Sequence, residues 1–186
     1  PVAEKIGLIN ALGEWVLKTA CAEAASWATP LKVSVNVSPI QLMNTSLTDT
    51  IIEVLHQTGL DPRRLDLEIT ESDVFNENTR SLEILSQLRE QGIQISIDDF
   101  GTGYSSLSRL SYFPFDKIKI DRSFVINIPE QKDDLVIVRL IISMGKSLHM
   151  RIVAEGVETE EQLASLQALG CDLVQGYLIG KPSPLR

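Results

Sequence analysis

The sequence predicts an α/β fold in which helices alternate with parallel strands. Short runs of β-branched residues alternate with longer amphipathic stretches, and glycine or proline often separates the two. Polar or acidic residues stand at the end of most of the short runs. These observations are typical of a β/α barrel or a doubly wound sheet, in which ligands bind at the carboxyl ends of the strands.

The elements can be placed from apolar spacing and from the residues that end them. In the first helix, Ile9, Leu12 and Val16 recur at a spacing of three and four residues. Gly59 and Gly92 end the second and third helices. The predicted helices are 9–27, 48–58, 77–91, 105–110, 133–148 and 158–169. The predicted strands, each behind a helix, are 32–37, 65–70, 93–98, 116–121, 151–155 and 172–177.

Length and composition predict one globular domain, residues 1–186. Apolar residues make up 44% of the chain and charged residues 23%, which is ordinary for a folded domain. The formal net charge of -8 argues against unassisted binding to nucleic acid polymers or anionic membranes, because both would be repelled. A phosphate ligand would therefore need metal ions or local positive groups.

Cys21 and Cys171 are the only cysteines in the sequence, and they predict a reduced, cytoplasmic setting. They are too few for a disulfide framework and lack a metal-binding spacing. The longest nearly apolar run, 135–144, is far shorter than the roughly 20 residues of a membrane span, so we expect no direct membrane insertion. The first residues lack an initiator Met and an apolar signal core, which predicts a fragment or a processed piece.

Polar residues within the predicted strands share one parity, which places them on one face. The run 33–38 has Ser34, Asn36 and Ser38 at alternate positions, each after a valine. In a parallel barrel the apolar face packs on the helices, so the polar face points inward. Eight polar residues would then meet at one mouth: Asn36, Glu68, Asp98, Asp99, Lys119, Asp121, Glu155 and Gln175.

This oxygen-rich set predicts a divalent metal site. Several carboxylates in one partly desolvated mouth repel one another unless cations neutralise them. Oxygen ligands suit Mg²⁺ or Mn²⁺ far better than Zn²⁺, which favours Cys and His. Adjacent Asp98 and Asp99 suit a site in which one carboxylate bridges two ions and the next serves the second ion. That is the geometry of two-metal phosphodiester cleavage.

Plainer interpretations of several residues stay open. Acidic residues at strand ends often cap the following helix, and Glu158 or Asp61 could do only that. The segment 101–103 lacks the third glycine of a dinucleotide-binding fingerprint, so we interpret it as part of a mobile loop. Trp15 and Trp27 are most simply core or interface residues.

Six short motifs lie on six successive predicted strands. They are Ser34-Val-Asn-Val-Ser-Pro39, Leu67-Glu-Ile-Thr-Glu-Ser72, Ile97-Asp-Asp-Phe-Gly-Thr-Gly-Tyr-Ser-Ser-Leu107, Ile118-Lys-Ile-Asp-Arg-Ser-Phe124, Ala154-Glu-Gly-Val-Glu-Thr159, and Gln175-Gly-Tyr177 followed by Gly180-Lys-Pro182. In this order, and over essentially the whole chain, they resemble the EAL domain family of bacterial enzymes that hydrolyse cyclic di-GMP.

The resemblance implies a fold, a reaction and a setting. The fold is a TIM-like (β/α) barrel that is incomplete at the N-terminus, with about six of its eight strands. The reaction is metal-dependent hydrolysis of cyclic di-GMP to linear pGpG, with Mg²⁺ or Mn²⁺ in a two-metal site. The setting is second-messenger signalling, in a homodimer whose chains carry an upstream sensor or cyclase-type domain.

The resemblance also implies roles for individual residues. The metal ligands are implied to be Asn36, Glu68 and Asp98 for one ion, with Asp98, Asp99 and Glu155 around the second. The catalytic residues are implied to be Lys119, which orients the attacking water or phosphate, together with Asp99 and Glu155. Substrate contacts are implied for Asp121, Gln175 and Pro39. Bracing of the loop 99–106 is implied for Glu71 and Glu158.

The sequence departs from the family in one respect, because it contains no Glu-Ala-Leu tripeptide. In the family this tripeptide carries a metal-binding glutamate, and its segment would precede Pro1. We therefore expect weakened hydrolysis in this chain. Two alternatives stay open: a module that binds cyclic di-GMP without cleaving it, and a barrel that acts on another phosphodiester.

Overall fold

Helices and parallel strands alternate along the chain in the order that the sequence predicts. The computed structural model describes residues 2–71, 79–102, 110, 113, 115–128 and 130–183. The helices are α1 (Val2–Lys5), α2 (Ile9–Ser26), α3 (Pro39–Leu42), α4 (Leu47–Thr58), α5 (Thr79–Glu90), α6 (Arg122–Val125), α7 (Lys132–Ser147) and α8 (Glu160–Leu169). The strands are β1 (Val33–Asn36), β2 (Leu65–Thr70), β3 (Gln94–Phe100), β4 (Lys117–Ile120), β5 (Arg151–Ala154) and β6 (Leu173–Val174). Of the predicted helix 105–110, only Leu110 lies within the described residues.

The chain divides into two compact units, Pro1–Ser96 and Ile97–Arg186, and the boundary lies inside β3. In the first unit the strand order is β1, β2 and the start of β3, and β1 pairs in parallel with β2. In the second unit the order is the end of β3, then β4, β5 and β6. There β5 pairs in parallel with both β4 and β6. The predicted α/β class is therefore confirmed.

In the first unit, α2 packs against β1 and α4. Val35, Leu67 and Ile69 share one strand parity and are buried, as alternation predicts for a face covered by helices. Helix α4 ends at Gly59, whose φ of 70° is left-handed and whose N–H donates to the carbonyl of Leu55. Glycine adopts this conformation without strain, which is why the sequence predicted the helix end correctly.

The polar residues that alternate with these apolar ones on β1, β2 and β3 form the opposite face of the strands, where they are joined by hydrogen bonds. The carboxylate of Asp66 accepts hydrogen bonds from the hydroxyl of Ser96 at 2.6 Å and from that of Ser34 at 3.4 Å. The ammonium group of Lys32 donates to the side-chain oxygen of Gln94 at 2.5 Å. Polar side chains at alternate positions of β1, β2 and β3 therefore lie on one face, as the alternation predicts.

In the second unit, α7 packs against β4 and β5. Val138 of α7 is buried, and so are Ile118 and Ile152 of the two strands. Gly145 allows a close approach, because a Cβ atom at this position would overlap the side chain of Ile152. The polar residues at the ends of these strands form the candidate site.

The last strand is shorter than predicted. Alternation over 172–177 predicted six residues of strand, but β6 contains only Leu173–Val174. The chain then turns, and the N–H of Ile179 donates to the carbonyl of Gly176 at 3.1 Å. Gly176 packs so closely on the backbone of Val157 that a Cβ atom there would overlap its carbonyl oxygen. This turn replaces the predicted end of the strand.

Two further expectations differ from the structure. Trp15 is 63% exposed on α2, so of the two interpretations given for it the core residue is wrong and the interface residue stays a prediction. The four-residue helices α1, α3 and α6 were not predicted, because such short segments show little periodicity. A signal for α3 was present, since the side chain of Gln41 accepts a hydrogen bond from the N–H of Ser38 at 3.1 Å, and Pro39 stands at the first helical position.

Candidate metal centre

Three carboxylates meet near the ends of two strands in the second unit. Asp98 and Asp99 lie in β3, and Glu155 directly follows β5. One oxygen atom of each residue lies within 4.8 Å of the others. These three residues, which we call the acidic cluster, all belong to the set of metal ligands predicted from the sequence.

Lys119 brings a positive charge to the acidic cluster. Its Nζ atom lies 3.0 Å from Oδ1 of Asp98 and 2.7 Å from Oε1 of Glu155. The lysine projects from β4, which pairs with β5, and is only 6% exposed. A buried ammonium group between two carboxylates reduces their repulsion and is held in one geometry. Lys119 is the lysine that the sequence predicted to lie near the carboxylates.

Asp99 combines an unusual backbone conformation with a raised pKa. Its φ of 53° lies in the left-handed region, which residues other than glycine rarely adopt. Burial raises the pKa of its carboxyl group above the ordinary value, and the charges of Asp98 and Asp121 raise it further, against the opposing effect of Lys119. Backbone strain and perturbed pKa values are both typical of functional sites. A divalent cation at the cluster would relieve the repulsion.

Asp121 has a structural role in addition to its place near the cluster. It is the N-cap of α6, and its carboxylate accepts hydrogen bonds from the backbone N–H of Ser123 at 3.0 Å and from the hydroxyl of the same residue. It also lies close enough to Asp99 to affect its pKa. Its contact with substrate stays a prediction, to which the structure adds helix capping.

The capping interpretation holds for Asp61 but not for Glu158. Asp61 is the N-cap of a short 3₁₀ helix and accepts a hydrogen bond from the backbone N–H of Arg63 at 3.0 Å. Helix α8 is capped instead by Thr159, whose side chain accepts from the backbone of the third helical residue. Glu158 is therefore available for another role.

Arg122 is a residue of this region to which the sequence analysis gave no role. Its Nη2 atom lies 2.7 Å from Oε1 of Glu158. Its side chain lies against Gly156, where a Cβ atom would overlap it. The available signal was a basic residue inside the motif 118–124, directly after Asp121. Of the loop 99–106 that Glu158 was predicted to brace, residues 103–106 lie outside the described residues.

Gln175 is joined to the segment that carries Glu155. Its N–H donates to the carbonyl of Ala154 at 2.8 Å, and its carbonyl accepts from the N–H of Val157 at 3.0 Å. A shallow pocket opens beside these residues and is lined by Arg122, Glu155, Gly156, Glu158, Gln175, Gly176 and Tyr177. The predicted substrate residue Gln175 therefore borders a pocket that reaches the acidic cluster.

The remaining predicted residues belong to the first unit. Asn36 is the last residue of β1 and pairs in register with Glu68 of β2. Glu68 is 8% exposed, and Glu71, directly after β2, is 2% exposed. Pro39 is the first residue of α3. Asn36 and Glu68 are thus neighbours on paired strands, and the roles of all four residues stay predictions.

The donors of the acidic cluster fit a hard divalent cation. All three ligand groups that the described residues bring together are carboxylates. Mg²⁺ and Mn²⁺ prefer such oxygen ligands, whereas Zn²⁺ sites favour Cys and His. The chemistry of this donor set agrees with the metal type that the sequence predicts.

Comparison with known proteins identifies a family and its members. The EAL domain family model matches residues 1–182 of this chain. MucR of Pseudomonas aeruginosa, a bifunctional diguanylate cyclase/cyclic di-GMP phosphodiesterase, is 45% identical over 188 residues, which cover 99% of this chain and 27% of MucR. The chain spans about a quarter of the length of the curated relatives it matches.

Solved structures of similar sequence show the same fold. The PaMucR phosphodiesterase in complex with c-di-GMP matches with a TM-score of 0.95 and 45% identity, over 99% of this chain and 76% of that chain. The EAL domain of Xanthomonas citri FimX in complex with c-di-GMP matches with a TM-score of 0.91 and 26% identity, over 99% and 74% of the two chains. The predicted TIM-like fold class is confirmed, with six strands in the described residues.

Proposed function

We propose, because this chain belongs to the EAL domain family, that it hydrolyses cyclic di-GMP to linear pGpG with divalent cations. The acidic cluster carries this proposal, since three carboxylates and a buried lysine stand together near the ends of adjacent strands. The description of MucR as a cyclic di-GMP phosphodiesterase supports the substrate. The reaction would serve bacterial second-messenger signalling.

In this proposal the chain holds two cations, Mg²⁺ or Mn²⁺. Asp98 is proposed as the ligand common to both cations. It lies beside Asp99 on β3, and it belongs to the acidic cluster with Glu155. The proposed ligands of the first ion are Asn36, Glu68 and Asp98, and those of the second are Asp98, Asp99 and Glu155. When bound, the cations supply positive charge that favours ionisation of the attacking water and stabilises the developing phosphorane.

The residues of the chain position the water and the phosphate. Lys119 is held by Asp98 and Glu155, so its ammonium group is fixed for orienting the attacking water or the phosphate. Asp99 and Glu155, which share the acidic cluster with Asp98, complete the proposed catalytic set. Water attacks the phosphorus directly in this mechanism, with no covalent enzyme intermediate. One P–O3′ bond breaks as the new P–O bond forms, and the leaving 3′-oxygen takes up a proton, so the linear product has a free 3′-hydroxyl and a 5′-phosphate.

Further residues contact the substrate or hold the surrounding loop. Asp121, Gln175 and Pro39 are the proposed substrate contacts, and the pocket beside Gln175 supports its assignment. Glu71 and Glu158 are proposed to brace the loop 99–106. The burial of Glu71 directly after β2 and the ion pair of Glu158 with Arg122 agree with positions that hold a neighbouring segment.

One observation favours a second candidate, a module that binds cyclic di-GMP without cleaving it. The sequence contains no Glu-Ala-Leu tripeptide, the family motif that carries a metal-binding glutamate. A site with fewer anionic ligands binds its cation more weakly. Residues 1–186, assayed by themselves, should therefore hydrolyse cyclic di-GMP more slowly than an EAL domain that includes this motif.

A product assay separates the enzyme from the binding module. The purified chain is incubated with cyclic di-GMP and Mn²⁺ or Mg²⁺, and the nucleotides are resolved by chromatography. Accumulation of pGpG that EDTA stops supports the enzyme, whereas saturable binding without pGpG supports the binding module. Unlabelled dinucleotides of other bases serve as competitors, and equal competition by all of them would point to another phosphodiester substrate.

The wider setting belongs to the same proposal. We assign residues 1–186 to a single EAL-type domain in the cytoplasm, acting as a homodimer and regulated by a sensor or cyclase-type domain upstream. The cyclase activity in the description of MucR supports a multidomain partner of this kind. Within the described ranges, no helix has the length and apolarity that crossing a membrane requires.

A further inference from the structure

We propose that Asp66 is a positioning residue for the metal centre. Its buried carboxylate, held between Ser34 and Ser96, fixes the part of β2 from which Glu68 projects. This inference rests on the proposed function, in which Glu68 is a metal ligand. It assigns a role to a residue that has no part in the reaction itself.

The contacts of Asp66 join three neighbouring strands. Its Oδ1 atom accepts a hydrogen bond from Ser96 of β3 at 2.6 Å, and its Oδ2 atom lies 3.4 Å from the hydroxyl of Ser34 on β1. Asp66 is 1% exposed and Ser96 is fully buried. Each carboxylate oxygen thus contacts a different neighbouring strand.

Ser34 and Asp66 lie two residues before the predicted ligands Asn36 and Glu68 on the same two strands. Ser34 pairs in register with Asp66, and two residues further on Asn36 pairs with Glu68. Residues two apart on a strand share a face. The hydrogen-bonded pair and the pair of predicted ligands are therefore successive layers of one polar face.

The hydrogen-bonded set of Ser34, Asp66 and Ser96 is better suited to positioning β2 than to stabilising the fold. Burying a carboxylate is unfavourable unless hydrogen bonds and charges compensate for it, and apolar side chains often fill such a position equally well. A buried polar network instead selects one arrangement, because a shifted strand would leave its members unsatisfied. A slip of one residue would turn Glu68 to the opposite face.

Loss of this support should appear as weaker metal binding. Residues that orient metal ligands through hydrogen bonds typically change metal affinity by about 10–100-fold when they are replaced. Asp66→Leu removes both acceptors but keeps the branching of the side chain, while Asp66→Asn keeps an acceptor for Ser96. We expect the Leu variant to raise the Kd for Mn²⁺ by about 10-fold or more, and the Asn variant to recover most of that affinity.

The test is calorimetric titration of Mn²⁺ into the full chain, with the melting temperature of each variant measured alongside. Asp134→Leu is the matched control, because it removes the acceptor of a partly buried hydrogen bond that Asn127 donates at 3.0 Å in the second unit. This control should lower the melting temperature without changing Mn²⁺ affinity. A merely structural role for Asp66 would give the same pattern.

Each outcome decides between the possibilities. Weaker Mn²⁺ binding by Asp66→Leu with recovery in Asp66→Asn supports the inference, and unchanged affinity in the Leu variant overturns it. If the Leu variant does not fold, Ser96→Ala decides in its place by the same criterion. Failure of the unaltered chain to bind Mn²⁺ would overturn the proposed metal site and this inference together, whereas pGpG formation with unchanged variant affinity would overturn the inference alone.

Discussion

The Nζ atom of Lys119 lies 2.7 Å from a carboxylate oxygen of Glu155, between paired parallel strands. The lysine is almost fully buried, so its charge depends on carboxylates for compensation. The same ammonium group contacts Asp98 at 3.0 Å. This arrangement connects the stability of the metal-free protein with the proposed catalysis, and it gives the first prediction.

Replacing Lys119 by Met should separate catalysis from metal binding. Loss of an oriented cationic group should lower the rate of hydrolysis by about 10²-fold or more. The metal-free protein should lose about 1–3 kcal/mol in its free energy of unfolding, because the partly buried carboxylates of Asp98 and Glu155 lose their partner. Mn²⁺ affinity should not fall, since no ligand has been removed.

These effects are measured by pGpG formation, urea denaturation and calorimetry. Lys18→Met is the matched control, because Lys18 forms only an exposed ion pair with Glu14, at 2.8 Å. Its replacement should change none of the three measurements. Full hydrolytic activity in Lys119→Met would contradict the role given to this residue.

Replacing Asp99 by Asn should raise the melting temperature of the metal-free protein but weaken Mn²⁺ binding. Since the folded-state pKa of Asp99 is raised, the folded protein holds this proton more tightly than the unfolded chain does. Stability therefore falls as pH rises from the ordinary pKa through the raised value, and the loss persists at neutral pH. Asn removes this loss and is also among the residues that best tolerate a positive φ.

The measurement is the melting temperature of both proteins across pH, with EDTA and with Mn²⁺. At neutral pH in EDTA the variant should melt at a higher temperature than the unaltered chain, and the difference should vanish in acid, where Asp99 is protonated. Added Mn²⁺ should reverse the order, because it stabilises the unaltered chain more. A lower melting temperature of Asp99→Asn in EDTA at neutral pH would count against the electrostatic account.

Replacing Gly176 by Ala should disturb the pocket beside Gln175. The added methyl group would overlap the backbone of Val157, so we expect a loss of about 1–3 kcal/mol in the free energy of unfolding. Displacement of Gln175 should also weaken binding of cyclic di-GMP. Gly180→Ala is the matched control, because a Cβ atom there has no neighbour within 4 Å. Equal stability of the two variants would show that the close approach is not required.

Replacing Glu158 by Gln should affect activity more than stability. The ion pair with Arg122 is exposed, and such pairs contribute little to folding. If Glu158 braces the loop 99–106, hydrolysis should fall about 10-fold or more while the melting temperature stays nearly constant. Asp61→Asn removes a similar exposed pair with Arg63 and should leave activity unchanged. Equal activity of the two variants would remove the bracing role.

The sequence predicted those parts of the structure that depend on local alternation. The strand 65–70 was placed at its observed bounds, because apolar and polar residues alternate through its whole length. The same reasoning brought Asp98, Lys119 and Glu155 into one set, since each lies at or near the end of a parallel strand.

Features that depend on tertiary contact were not predicted. The pair of Arg122 with Glu158 joins residues 36 positions apart, and no local pattern indicates it. The positive φ of Asp99 was not predicted either, because Asp adopts this conformation at only a few of its positions. The early end of β6 follows from the close packing of Gly176 on Val157, which alternation alone does not reveal.

Calorimetric titration of Mn²⁺ into the unaltered chain and into Asp98→Asn tests the central claim most directly. Asp98 is the carboxylate proposed to serve both ions, so its replacement should lower Mn²⁺ affinity by about 100-fold or abolish measurable binding. Asp61→Asn, which changes a surface carboxylate outside the acidic cluster, should bind Mn²⁺ as the unaltered chain does. Saturable binding that is lost only in Asp98→Asn is the predicted result, and equal Mn²⁺ affinity in all three proteins would contradict the proposed metal centre.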